Sequence, residues 1–155
     1  MYQKILVPLD GSELAECVLP HVEAITKGCG VKEVTFLRVV EPFYIPAVGD
    51  GGFISPRQIK QFEDENRKSA ETYLSRIESQ AKYEAANVRT EVLDGQAAKT
   101  IAEYATKNEF DLIIIATHGR SGISRWVWGS VADRTLRSAC VPVLMVRAPG
   151  CVPGI

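Results

Sequence analysis

Residues 113–137, IIIATHGRSGISRWVWGSVADRTLR, carry the spacing in this chain that could do chemistry. The run Leu112-Ile113-Ile114-Ile115 is apolar at every position, which predicts a strand covered on both faces, as in the middle of a parallel sheet. A glycine-rich loop follows it, with Gly119, Gly122 and Gly129 leaving room for close approach of backbone to another molecule. Ser130 stands where a helix N-cap would be, and the first turn of a helix presents amides that have no partner within the helix. Strand end, glycine loop and helix start together predict an anion site, and phosphate is the anion that fits such a site best. Arg120, Arg125, Arg134 and Arg137 face Asp133 alone in this stretch, which biases it towards anions. Arg134 and Arg137 fit a solvated helix face equally well.

The elements that must hold this loop can be read from apolar spacing. Residues 3–9 are a short apolar run, Asp10-Gly11-Ser12 a turn and cap, and residues 14–27 carry apolar side chains at helical steps. Pro20 inside that helix predicts either a kink or a misplaced boundary. Gly28-Cys29-Gly30 ends it, and residues 34–40 form a second strand. Residues 41–56, with three prolines and three glycines, are too irregular for an element and are expected to form a flap. From Arg57 to Ala86, Ile59, Phe62, Ala70, Tyr73, Leu74, Ile77 and Ala81 recur at three- and four-residue steps, the pattern of an amphipathic helix. At the usual rise it would span ~45 Å, more than a small sheet covers, so its first turns should project or break. Strands are expected at 87–92, 111–117 and 143–146, and helices at 96–107 and 129–138.

This β-α alternation with apolar strands implies a doubly wound α/β domain: a parallel sheet with right-handed crossovers and helices on both faces. Such sheets take ligands at the carboxyl ends of strands where the winding reverses. Here those ends hold Asp10 after the first strand, Val39 and Val40 in the second, and residues 116–119 after the fourth.

The pattern A-T-H-G-x9-G-S, Ala116 to Ser130, resembles the G-x2-G-x9-G-[ST] nucleotide signature of the ATP-binding branch of the universal stress protein family. KILVPLDGSE resembles that family's opening strand with its aspartate, LRVVEP its second strand and VPVLMVR its closing strand, so the likeness covers nearly the whole chain. It implies a five-stranded sheet of order 3-2-1-4-5, of the adenine nucleotide alpha hydrolase-like type, with a domain over residues 1–148 and a tail over 149–155. Carried over by position, it places Pro8, Leu9 and Asp10 at the adenine-ribose end and the Val39 backbone at the base edge. Ala116, Thr117, His118, Gly119 and Arg120 border ribose and phosphates, and Gly129, Ser130 and Val131 wrap the triphosphate. The implied ligand is ATP, or AMP or ADP, with magnesium as a companion of the phosphates. Ala116 departs from the signature, standing where its first glycine would be, and a tight approach or positive backbone angle there would weaken binding. The residues agree with these roles on their own chemistry: an aspartate accepts from ribose hydroxyls, and helix-start amides and a serine hydroxyl donate to phosphate.

The remaining features bound the function. A chain of 155 residues with formal net charge −1 fits one domain and gives no general attraction to nucleic acid or an anionic membrane. No leader follows Met1 and no apolar run reaches bilayer length, so a soluble, cytoplasmic protein is expected. Cys17, Cys29, Cys140 and Cys151 lack metal or redox spacing and are expected to be reduced thiols. His118 has no nucleophile or metal partner at recognisable spacing and is not assigned a catalytic role. Trp126 and Trp128 are expected to pack the loop down or form contact surface. The expected function is a regulatory, stress-responsive nucleotide-binding module. The alternatives are a slow ATP hydrolase of the same fold and a phospho-acceptor signalling domain, for which Asp10, Asp94 and Thr117 fit superficially. The strand Pro142 to Arg147 is expected at a sheet edge, paired with its twin in a homodimer, because so apolar an edge invites another strand and proline is tolerated there. Any further protein partner is not encoded legibly.

Overall fold

The computed structural model describes residues 1–42, 55–83, 86–117 and 130–147. Five strands, β1 (Lys4–Pro8), β2 (Glu33–Val40), β3 (Asn87–Asp94), β4 (Leu112–Ala116) and β5 (Val143–Val146), form one sheet of order β3-β2-β1-β4-β5. Every pairing is parallel, with Pro8 opposite Leu37, Leu6 opposite Ile113, Val39 opposite Leu93 and Ala116 opposite Val146. The helices are α1 (Leu19–Cys29), α2 (Pro56–Gln80), α3 (Ala97–Lys107) and α4 (Ser130–Ser138).

Alternate residues of the same strands feed two cores. Ile5, Val7, Val34, Phe36 and Ile114 pack with Val22 of α1 and with Leu74 and Ile77 of α2. Leu6, Leu37, Ile113 and Ile115 pack with Ile101 and Ala105 of α3 and Ala132 of α4. The all-apolar strands are therefore explained: each must be apolar on both sides because helices cover both.

Two helices differ from expectation in instructive ways. The stretch expected as one helix over 14–27 divides into a short 3-10 helix, Ala15–Val18, and then α1, whose first turn contains Pro20. A proline there forfeits an N–H that has no helical acceptor anyway, so it marks a start and produces no kink. The long helix does not break. A reciprocal cap opens α2: Ser55 Oγ accepts from Gln58 N at 3.3 Å and Gln58 Oε1 accepts from Ser55 N at 2.9 Å. It then runs ~37 Å to Gln80, ending earlier than the expected Ala86, and buries only Ala70, Leu74 and Ile77, so its first half projects as expected. Arg67 moors the projecting half to the end of β3, donating to Asp94 Oδ2 at 2.8 Å and to the Val92 carbonyl at 3.1 Å.

That contact and the strand order remove the phospho-acceptor alternative. Such a domain places its third strand beside its first, bringing both acidic ends together. Here β2 stands between β1 and β3, and Asp94 is engaged by Arg67. Of the flap expected over 41–56, Ser55 and Pro56 instead open α2, and residues 43–54 lie outside the described residues, as does the tail over 149–155.

The end of α1 offers a test of the backbone alone. Gly30 caps the helix at φ 64°, donating to the Thr26 carbonyl, whereas Gly28 lies inside the helix, and a Cβ on either would touch nothing within 4 Å. Gly28→Ala should therefore raise stability by about 0.5–1 kcal/mol, and Gly30→Ala should lower it by about 1 kcal/mol. Urea unfolding of the two variants, read against the parent, checks the opposite signs.

Candidate functional site

The winding reverses between β1 and β4, and Pro8, Leu9, Asp10, Ala116 and Thr117 stand at the carboxyl ends of those two strands, with Val39 near that of β2. Pro8 closes β1, and buried Leu9 continues it by one bond, its N–H donating to the Leu37 carbonyl at 2.8 Å. The chain then turns sharply. Asp10 Oδ1 accepts from Ser12 N at 2.9 Å and from Ser12 Oγ at 2.6 Å, and Ser12 Oγ accepts from Ala15 N at 3.2 Å. The segment is thus a turn, as expected, held by one carboxylate oxygen; the N-cap position of the 3-10 helix is Leu14, and Ser12 Oγ takes the N–H of its first residue, Ala15. Gly11, between Asp10 and Ser12, has φ 83°, a conformation other residues adopt with strain.

Val39 of β2 packs with the core beneath α3 and α4. Just beyond it, Gly95 N donates to the Val40 carbonyl at 3.1 Å, and Glu41 Oε1 accepts from Ala97 N at 3.2 Å in the first turn of α3. On the other side of the reversal, Ala116 ends β4 opposite Val146, and Thr117 N donates to the Val146 carbonyl at 2.9 Å with its residue 4% exposed. The helix that follows is described from Ser130 to Ser138. Val131 in its first turn is exposed, while Ala132 and Thr135 are buried.

His118, Gly119, Arg120 and Gly129 lie outside the described residues, so the described half of the site comprises Pro8, Leu9, Asp10, Val39, Ala116, Thr117, Val131 and the backbone of Ser130. Arg134 and Arg137 belong to the solvated face of α4: Arg137 Nε donates to Asp133 Oδ2 at 3.0 Å within the helix. Both line an open groove of about 700 Å³ between α3 and α4, to which no residue from the ends of β1 or β4 contributes.

A second group near the turn was not singled out from the sequence. Arg38 of β2 places its guanidinium over the Tyr73 ring of α2, 5.4 Å from the centroid, and Arg76 covers the same ring at 5.2 Å. Arg76 Nη2 lies 2.5 Å from Glu16 Oε1 in the 3-10 helix. Burial pushes the Tyr73 phenol well above its ordinary pKa, with the neighbouring Glu16 carboxylate adding to the shift. Arg38 is the lone cation in a strand pattern, FLRVV, that is otherwise apolar. That was the available signal, since a charge in a strand covered on both faces must find a specific partner.

The donor set at the strand ends suits a nucleoside phosphate: a carboxylate for hydroxyls, strand-end backbone for a base edge, and a helix start beyond β4 for phosphate. The profile of the universal stress protein family matches residues 1–147. The chain belongs to that family. A universal stress protein of Methanocaldococcus jannaschii is 34% identical over 152 residues, covering 96% of this chain and 84% of that protein. A second one from the same organism is 28% identical over 158 residues, and its solved structure superposes with a TM-score of 0.80 over 97% of this chain and 99% of that one. Two more distant structures share the fold and carry ligands. A universal stress protein of Archaeoglobus fulgidus in complex with dAMP superposes at TM-score 0.57, 20% identical over 93% of this chain and 97% of that one. One from Arabidopsis thaliana with AMP bound superposes at 0.66, 14% identical over 96% and 93%.

For this universal stress protein, the hydrogen bonds of Ser12 yield a direct test. Ser12→Ala removes both the donor to Asp10 Oδ1 and the acceptor for Ala15 N, so it should cost about 1 kcal/mol of stability. Chemical unfolding of the variant and the parent measures it.

Proposed function

We propose that this chain binds an adenine nucleotide across the carboxyl ends of β1 and β4 and serves as a regulatory module of a stress response in the cytoplasm. The observation that carries this reading is the juxtaposition of the Asp10 turn and the β4 end at the winding reversal, with α4 beginning after the glycine-rich loop. Asp10 accepts from the ribose hydroxyls and the Val39 backbone reads the base edge, with Pro8 and Leu9 forming the floor. Ala116, Thr117, His118, Gly119 and Arg120 border ribose and phosphates, and Gly129, Ser130 and Val131 receive the triphosphate at the start of α4. ATP is the proposed ligand, with magnesium bridging its phosphates. The AMP and dAMP carried by two relatives of the same fold support the adenine nucleotide class.

Calorimetry on nucleotide-free protein should give a dissociation constant on the order of ten micromolar or tighter, with magnesium strengthening ATP more than AMP. Absence of heat and of any thermal shift at millimolar ATP would remove the reading. Asp10→Ala should weaken adenosine, AMP and ATP by a similar factor, roughly tenfold, because the lost bond is to ribose. Gly129→Val should weaken ATP far more than adenosine, because it crowds the phosphate end alone.

We also propose a homodimer through β5. The strand occupies a sheet edge, and Leu144 on it is 36% exposed, an apolar side chain on an edge that invites pairing. A two-fold partner would cover that edge with its own copy. Leu144→Lys should raise the monomer fraction in sedimentation while leaving the far-ultraviolet circular dichroism unchanged. A parent protein that sediments as a monomer at tens of micromolar would refute the dimer.

A further inference from the structure

We propose that Arg38 is the positioning residue of the nucleotide turn: stacked on Tyr73, its guanidinium holds Asp10-Gly11-Ser12 in the shape that presents Asp10, and it acts on the ligand through Asp10. A Cβ built on Gly11 would fall 1.9 Å from Arg38 Nη1 and 2.7 Å from its Cζ, so the guanidinium fills the space that a side chain at that turn would occupy. Glycine at φ 83° brings the turn into reach but cannot hold it there, because the same residue moves freely among many backbone conformations. The Asp10–Ser12 bonds close the turn from one side, and the planar guanidinium walls it from the other.

That wall is itself propped. Two guanidinium groups stand over the Tyr73 ring, Arg38 at 5.4 Å and Arg76 at 5.2 Å from its centroid, and Arg76 is tied to Glu16, four residues beyond Ser12. The α2 helix therefore grips the turn at Gly11 through Arg38 and just past it through Glu16.

The direction of the side chain separates positioning from direct binding. Leu37 and Val39 on either side of Arg38 pack in the core beneath α3 and α4, the face on which α4 begins. Arg38 emerges on the opposite face, against Tyr73 of α2, so it does not point towards phosphates held at the start of α4.

The inference rests on the proposed nucleotide site, and its test has one readout that does not need a ligand. In ligand-free protein, Arg38→Met should speed hydrogen exchange at the Ser12 and Ala15 amides several-fold while leaving the β4 amides unchanged. With ligand, it should weaken adenosine and ATP by the same factor, roughly tenfold, and should add nothing in an Asp10→Ala background, since both changes disable one unit. Arg38→Lys, which keeps the charge and is the milder change for folding, should behave like Arg38→Met because it lacks the planar fork that stacks and walls the turn. Unchanged exchange at Ser12 and Ala15 would overturn the inference whatever the ligand does. So would a loss much larger for ATP than for adenosine, a full additional loss in the Asp10→Ala background, or full rescue by lysine. If the parent protein takes up neither adenosine nor ATP while exchange responds as expected, the nucleotide reading falls and the grip of Arg38 on the turn stands.

Discussion

The constraint on which the rest depends is that β1 must be satisfied on four sides at once. It pairs with β2 on one edge and β4 on the other, and its Ile5, Leu6 and Val7 are wholly buried beneath helices on both faces. Chain leaving β1 turns to one face of the sheet and chain leaving β4 arrives, through α4, on the other. The two exits diverge, and a crevice between them is a geometric consequence of winding in both directions from a central strand. Hydrophobic burial of the strands, in which Leu9 and Val39 take part, thus sets where the crevice lies.

What the crevice can hold is set by short-range polar contacts at its rim. Asp10 spends one oxygen on Ser12, which fixes the carboxylate's orientation relative to the sheet. Thr117 hangs from Val146 by its N–H, and Leu9 from Leu37 by its own, so both lips of the crevice are extensions of strand ladders. Groups built on strand ends are held more closely than groups on free loops, which suits the proposed role of this crevice in recognising a small ligand by a few hydrogen bonds.

The strands were legible because runs such as Leu112 to Ile115 and Ile5 to Val7 are buried on both faces and leave an unbroken apolar record. Strand order was not legible from periodicity, which says nothing about neighbours; it came with the family likeness and agrees with the observed sheet. Pro20 did mark a boundary, the second of its two readings, but apolar spacing continues from the 3-10 turn Ala15–Val18 into α1 and does not reveal where one helix type yields to the other. The Asp10 turn was readable as a local motif. Arg38 was not, since its contacts are with Gly11 and Tyr73, far away along the chain, and are created by β2 and α2 packing together. The glycines of the loop, Gly119, Gly122 and Gly129, lie outside the described residues.

The hydrogen bond from Ala97 to Glu41 bears on selectivity within the crevice. Both α3 and α4 belong to the same face of the sheet and both begin at its carboxyl edge, so each start concentrates partial positive charge there. At α3 that charge is answered by the chain's own carboxylate. With that carboxylate seated at α3, the chain itself answers one of the two positive helix starts, and under the proposed function the start of α4 is the one left to receive phosphate.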